Sequence, residues 1–94
     1  MGQITRKRDR LEVIHDFLNI IQENRNSIKR TPLLRKTNLS SQSFEEYFDE
    51  LLAKDFIREI RDNKGKRHIT LTDKGFRFLG KYKMIHGFID EFEL

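Results

Sequence analysis

Basic side chains cluster around one predicted turn, and their chemistry suits an anion rather than a reaction. Arg61, Lys64, Lys66 and Arg67 flank a polar stretch, 62–66, that separates two short β-forming runs. Guanidinium and ammonium groups donate charge-assisted hydrogen bonds to phosphate oxygens. We therefore expect these four side chains to contact the phosphates or the minor groove of a nucleic acid. A solvated hairpin tip is the alternative.

A second group of cations precedes the hairpin. Residues 28–37 contain no acidic residue and four basic ones: Lys29, Arg30, Arg35 and Lys36. Contact with a phosphate backbone and ordinary solvation are both open for this group. Ser41, Gln42 and Ser43 would form the first turn of the next helix and are suited to contact bases or phosphates. Gln42 has the two groups needed for a bidentate contact with adenine.

The other reactive residue types do not form a site. His15, His68 and His86 are far apart in the sequence and have no carboxylate or cysteine at metal-ligand spacing. There is no cysteine, no glycine-rich phosphate loop and no nucleophile motif. We expect no enzymatic activity, no metal, no cofactor and no small-molecule substrate.

Length and composition indicate one small domain. The chain has 94 residues and a net charge of +4, with 36% hydrophobic and 36% charged residues. No apolar run is long enough to span a membrane, and the start lacks an apolar signal core. We therefore expect a cytoplasmic protein. The charge is segregated, since the basic middle is followed by a tail containing Asp90, Glu91 and Glu93.

Hydrophobic spacing and capping residues predict the elements that position these side chains. A helix over 8–23 presents one apolar face, formed by Leu11, Ile14, Phe17, Leu18 and Ile21. A short helix begins with Thr31 as N-cap and Pro32 at its first position, and a third runs over 41–54 after the N-cap Ser40. Strands over 57–61 and 67–71 follow, and Ile28 with Lys29 is expected to add a short strand. Thr72 caps the last helix.

The last helix carries an apolar seam beyond what a small core needs. Residues spaced by three and four, with one neighbour that widens the seam, predict a dimer interface: Phe78, Tyr82, Ile85, Phe88, Ile89 and Phe92. Phe76 and Leu79 are expected to face the domain's own core. The seam predicts a second copy of the chain as partner, and folding back onto the same domain is the alternative.

The order of these elements resembles a known family. The resemblance rests on Asn38-Leu39-Ser40, Tyr47, Leu51, Ile57-Arg58, Lys66 and Leu71-Thr72-Asp73-Lys74-Gly75. These residues are similar to those of small archaeal winged-helix DNA-binding proteins, which dimerise through a C-terminal helix in an antiparallel coiled coil. The resemblance implies an α+β fold, a winged helix-turn-helix with a long C-terminal dimerisation helix. It also implies a homodimer that binds double-stranded DNA, in archaea or their viruses, as a transcriptional regulator or chromosome-associated protein.

This organisation divides the chain into a basic N-terminal arm over 1–7, a winged-helix domain over 8–75 and the dimerisation helix over 72–94. The arm and its neighbours, Arg6 to Arg8 and Arg10, are either phosphate contacts or a solubilising terminus. Tyr47 either packs in the core or borders the DNA face.

The third helix departs from the family pattern because it is acidic. It contains four acidic residues and one basic residue, Lys54; the acidic ones are Glu45, Glu46, Asp49 and Glu50. Phosphates repel carboxylates unless the carboxylates point away or accept a hydrogen bond from cytosine N4. The alternative function is therefore a protein–protein interaction module that uses the acidic third helix and the apolar C-terminal helix.

Overall fold

A computed structural model describes residues 9–94 as four helices and one hairpin. The elements are α1 (Arg10–Glu23), α2 (Arg30–Thr37), α3 (Ser41–Ala53), β1 (Ile57–Arg61), β2 (Arg67–Leu71) and α4 (Asp73–Glu91). This α+β arrangement of three helices, a hairpin and a closing helix is the predicted one. Among the described residues, no helix is long and apolar enough to cross a membrane.

One core joins all six elements. Its centre is aromatic, with the rings of Phe17 and Phe44 stacked at 5.3 Å and those of Phe44 and Phe48 at 5.7 Å. The expected apolar face of α1 is buried except at Leu11, which is 56% exposed, and Val13 is buried instead. Leu11 lies in the first turn of α1 and packs neither in the core nor against it.

The β1–β2 pair is an antiparallel hairpin, in register from Ile57 opposite Leu71 to Arg61 opposite Arg67. Ile28 adds a single bridge to Ile69, through backbone N–H to O distances of 3.2 and 2.8 Å. The short strand expected near Ile28 is thus one residue pair. Gly65 takes a φ of 77° in the turn, where a residue without Cβ is favoured.

Three helix starts are capped by side chains, and α2 is not. Asp9, Ser40 and Thr72 accept hydrogen bonds from backbone N–H groups of α1, α3 and α4. The prediction of Thr31 as N-cap was wrong, because α2 begins at Arg30 with Lys29 in the cap position. The bridge at Ile28 holds the chain extended up to Lys29, so the helix starts immediately afterwards. The prediction of Pro32 as the first helical residue was also wrong, since it is the third residue of α2; it still lies in the first turn, where no N–H is needed.

The two halves of α4 have different environments. In the first half Leu79 is buried, and the Phe78 ring meets Phe56 edge-on at 5.8 Å. Beyond Tyr82, large apolar side chains are exposed, among them Met84 at 70% and Phe88 at 57%. The expectation that Phe76 faces the core was wrong, since it is 39% exposed. The buried side of α4 passes through Gly75 and Leu79, and Phe76 is turned about 100° from Gly75.

Candidate nucleic-acid interface

A left-handed residue sets the angle between α2 and α3. Asn38 has φ 63° and ψ 21°, a conformation that asparagine tolerates better than most residues. Before it, the Thr37 hydroxyl donates to the Leu34 carbonyl at 2.8 Å. After it, Ser40 Oγ accepts from the Ser43 N–H at 3.1 Å and starts α3. The chain therefore turns within three residues and presents α3 beside α2.

The first turn of α3 is open to a ligand. Ser41 and Gln42 are exposed, whereas Ser43 is half-buried. Glu45, Glu46 and Asp49 are also exposed. Tyr47 is half-buried and packs against the core.

Arg30 bridges α2 and α3. Its guanidinium pairs with the Glu45 carboxylate and lies 4.2 Å above the centre of the Phe48 ring. The sequence placed Arg30 among the candidate phosphate contacts without predicting this bridge. The ion pair neutralises one of the four carboxylates on α3.

A second carboxylate of α3 is neutralised on the opposite flank. Glu50 pairs with Arg10 of α1 and with Lys54, whose Nζ lies 2.8 Å from Glu50 Oε2. Glu46 and Asp49 form no ion pair with another residue of the described range 9–94. The remaining arm cations, Arg6 to Arg8, lie outside the described residues.

The Asp62 carboxylate organises the hairpin turn. Its Oδ1 accepts from the backbone N–H groups of Lys64 at 2.8 Å and Lys66 at 2.9 Å, and its Oδ2 lies 3.1 Å from His68 Nε2. These hydrogen bonds lower the pKa of Asp62 below its usual 3.8; the bond from the Lys66 N–H has the largest effect and the bond from His68 the next largest. Nδ1 of His68 lies 3.2 Å from Ser27 Oγ, which connects the turn to the segment before α2.

The hairpin and the start of α2 form a shared basic surface. We call the shallow depression between them the hairpin groove; it is lined by Lys29, Asp62, Asn63, Lys64, Lys66 and His68. Beside it, Arg61 and Arg67 occupy directly opposed positions on the two strands. Like charges in opposed positions repel unless an anion lies near them. The structure thus brings together five of the predicted cations, while Arg35 and Lys36 lie exposed in the last turn of α2.

A separate cleft of about 510 Å³ lies between α1 and α4, which sequence reasoning did not anticipate. The Tyr82 ring stacks on His15 at 4.2 Å and lies 4.5 Å from the His86 ring. Burial raises the pKa of Tyr82 above 10.0, and the nearby negative charge of Glu12 makes a smaller contribution in the same direction. No cluster suited to a metal ion is found among the residues that the structure describes.

The family model of the winged helix-turn-helix matches residues 7–89. The chain therefore belongs to the winged helix-turn-helix family, and β1–β2 is the wing of that fold. No curated protein matches the sequence.

Solved structures agree on the fold. A winged-helix DNA-binding protein from STIV superposes with a TM-score of 0.69 at 17% identity, covering 85% of this chain and 91% of that one. The PcaV transcriptional regulator from Streptomyces coelicolor gives 0.65 at 19% identity, covering 84% of this chain. The structure of that regulator in complex with its natural ligand gives a TM-score of 0.61 at 21% identity, covering 83% of this chain. The chain spans 62% and 60% of those two regulator chains.

Proposed function

We propose that this protein binds double-stranded DNA as a homodimer and acts as a transcriptional regulator or chromosome-associated protein. The observation that carries the proposal is the basic surface at the hairpin groove, where Lys29 of the α2 start meets Lys64 and Lys66 of the turn. The opposed pair Arg61 and Arg67 extends that surface along the strands. None of these five cations forms an ion pair within the described residues 9–94, so their charges are available to phosphates.

The helix-turn-helix supplies the second contact of the proposed interface. Ser41 and Gln42 lie exposed at the N-terminus of α3, where the helix dipole favours a phosphate or an acceptor-bearing base edge. Arg35 and Lys36 add positive charge at the end of α2. In this proposal the hairpin and the first turn of α3 contact the same duplex, and no catalysis is involved.

The experiment that tests duplex binding compares two double charge reversals. Lys64→Glu with Lys66→Glu changes the hairpin groove, and Lys81→Glu with Lys83→Glu makes the same change in net charge on α4. Fluorescence anisotropy with a labelled duplex, at 50 to 200 mM salt, should show strong salt dependence for wild type. Neutralising six to ten phosphates corresponds to a loss of roughly 10³–10⁵ in affinity over that range.

The hairpin variant should lose duplex binding and the α4 variant should retain most of it. Equal losses would mean that net charge, and not this surface, attracts the duplex. Absence of salt-sensitive duplex binding in wild type at every ionic strength would refute the proposal.

The proposed homodimer rests on the distal half of α4. Ile85, Phe88 and Phe92 are 56%, 57% and 56% exposed, and the last two rings contact each other at 4.9 Å. Burying such side chains stabilises by roughly 1.5–3 kcal/mol each, so a second copy of the helix is a suitable partner. Phe78 and Tyr82, the other end of the predicted seam, already pack partly against their own domain.

Sedimentation equilibrium tests the dimer. Ile85→Asp with Ile89→Asp should convert a dimer into a monomer, because two carboxylates in an apolar interface lose their hydration. The matched control, Lys81→Asp with Lys83→Asp, should remain dimeric. A wild-type monomer, or an unchanged mass in the isoleucine variant, would contradict the proposed interface.

A second function is favoured by the acidic surface of α3. Glu46 and Asp49 are exposed and could dock a basic protein surface, with the apolar part of α4 as a further contact. In that case the hairpin-groove reversal would leave partner binding intact. Retained binding to a partner together with no duplex binding would support this function over the first.

A further inference from the structure

The carboxylates of α3 are distributed in a way that bears on base recognition. Phe44, Phe48 and Leu51 are buried and fix the rotation of the helix. On the opposite side, Gln42, Glu46 and Asp49 are spaced by four and three residues and therefore form one row, which we call the outer row. All three are exposed.

The carboxylates on the two flanks of this row are neutralised within the chain. Glu45, on the flank towards α2, pairs with Arg30. Glu50, on the flank towards α1, pairs with Arg10 and Lys54. The outer-row carboxylates of Glu46 and Asp49 form no ion pair with other residues of the range 9–94.

This distribution matches the charge pattern of a major groove. A helix in a groove about 12 Å wide has phosphate backbones on both flanks and base edges below its centre. Carboxylates on the flanks would be repelled by phosphates, and those are the ones whose charge is cancelled. Carboxylates at the centre face base edges, where cytosine N4 and adenine N6 present hydrogen-bond donors.

We propose that Glu46 and Asp49, with Gln42, determine base specificity by accepting hydrogen bonds from exocyclic amino groups of cytosine and adenine. This inference rests on the proposed function, since it requires α3 to lie in the major groove. It accounts for the acidic third helix without a protein partner. Guanine and thymine, which present acceptors at the corresponding positions, would be rejected by the like polarity of the carboxylates.

Selection from a random duplex pool at one salt concentration tests the inference. Wild type should enrich sites with cytosine or adenine at defined positions. Glu46→Gln and Asp49→Asn should each reduce the preference at one base pair, on the order of tenfold. The reason is that an amide can also donate a hydrogen bond and can therefore pair with the acceptors of other bases. Glu23→Gln, a surface change of the same charge on α1, is the control and should leave the preference unchanged.

A modified base gives a test that needs no variant to fold. N4-methylcytosine retains its Watson–Crick proton but places a methyl group in the groove in place of the second proton. Introduced at an enriched cytosine, it should weaken wild-type binding on the order of tenfold and should have little effect on the variant that no longer prefers that cytosine.

The outcomes separate the two proposals. Duplex binding without any base preference, or a preference that neither outer-row variant changes, would overturn the inference and leave the proposed function standing. Failure of wild type to bind duplex DNA at any salt concentration would overturn both.

Discussion

Replacing Arg30 with alanine tests whether α2 and α3 are held together by a bridge that the sequence did not reveal. The guanidinium is 42% exposed and its partner Glu45 52%, so the solvent-screened ion pair contributes about 0.2–1 kcal/mol. Stacking on Phe48 at 4.2 Å contributes about 0.5–1 kcal/mol. The expected loss of unfolding free energy is therefore about 1–2 kcal/mol, and each kcal/mol lowers Tm by roughly 4–8 °C in a domain of this size.

Urea and thermal unfolding followed by circular dichroism measure this loss. Arg35→Ala is the matched control, because Arg35 is an exposed cation of the same helix without an ion pair among the described residues. Its change should stay within about 0.5 kcal/mol. Glu45→Ala removes the ion pair and keeps the stacking, so it should cost less than Arg30→Ala. If Arg30→Ala is no more destabilising than Arg35→Ala, the bridge does not stabilise the domain.

Three further predictions concern α4 and the hairpin. Gly75→Ala should destabilise the domain, because the added Cβ would lie 2.5 Å from the Phe56 carbonyl oxygen. At Gly80 the added Cβ meets open space, so Gly80→Ala should stabilise α4 by up to about 1 kcal/mol. Equal Tm values for the two variants would contradict this prediction. Asp62 has a lowered pKa, so its contribution to stability is present above pH 3.8 and is lost as the pH falls through the lower folded value; the difference in urea midpoint between wild type and Asp62→Ala should shrink on acidification, and a constant difference would refute it. Tyr82 has a raised pKa, so its contribution to the free energy of unfolding is present below pH 10.0 and is lost as the pH rises through the folded value. An ultraviolet difference titration of wild type against Tyr82→Phe should give this phenol a midpoint above 10.0. A midpoint at or below 10.0 would refute the prediction.

The fold was predictable where local signals act alone. Ser40 and Thr72 are capping residues before apolar helices, and both start helices as expected. Gly65 marks the hairpin turn for the same kind of local reason. The start of α2 was misplaced because a long-range bridge, Ile28 to Ile69, determines where the extended chain ends.

The candidate site was predictable in its cations and not in their partners. Clustered lysines and arginines were visible in the sequence, and the structure gathers Lys29, Lys64 and Lys66 around one groove. The Arg30–Glu45 pair spans 15 residues and depends on how α2 packs on α3, which spacing alone does not determine. For Asp62 a signal did exist, since aspartate at the start of a turn often accepts from backbone N–H groups two or more residues ahead.

Mapping backbone amides by ¹H–¹⁵N NMR while adding a duplex shows directly whether the hairpin groove and the first turn of α3 contact DNA. Chemical-shift changes should concentrate in the hairpin turn at 62–66, in the start of α2 and in the first turn of α3. Amides of the distal half of α4, which the proposal assigns to the second copy, should move little. Shifts confined to distal α4, or an unaffected hairpin in the presence of bound duplex, would show that the duplex does not bind at the hairpin groove.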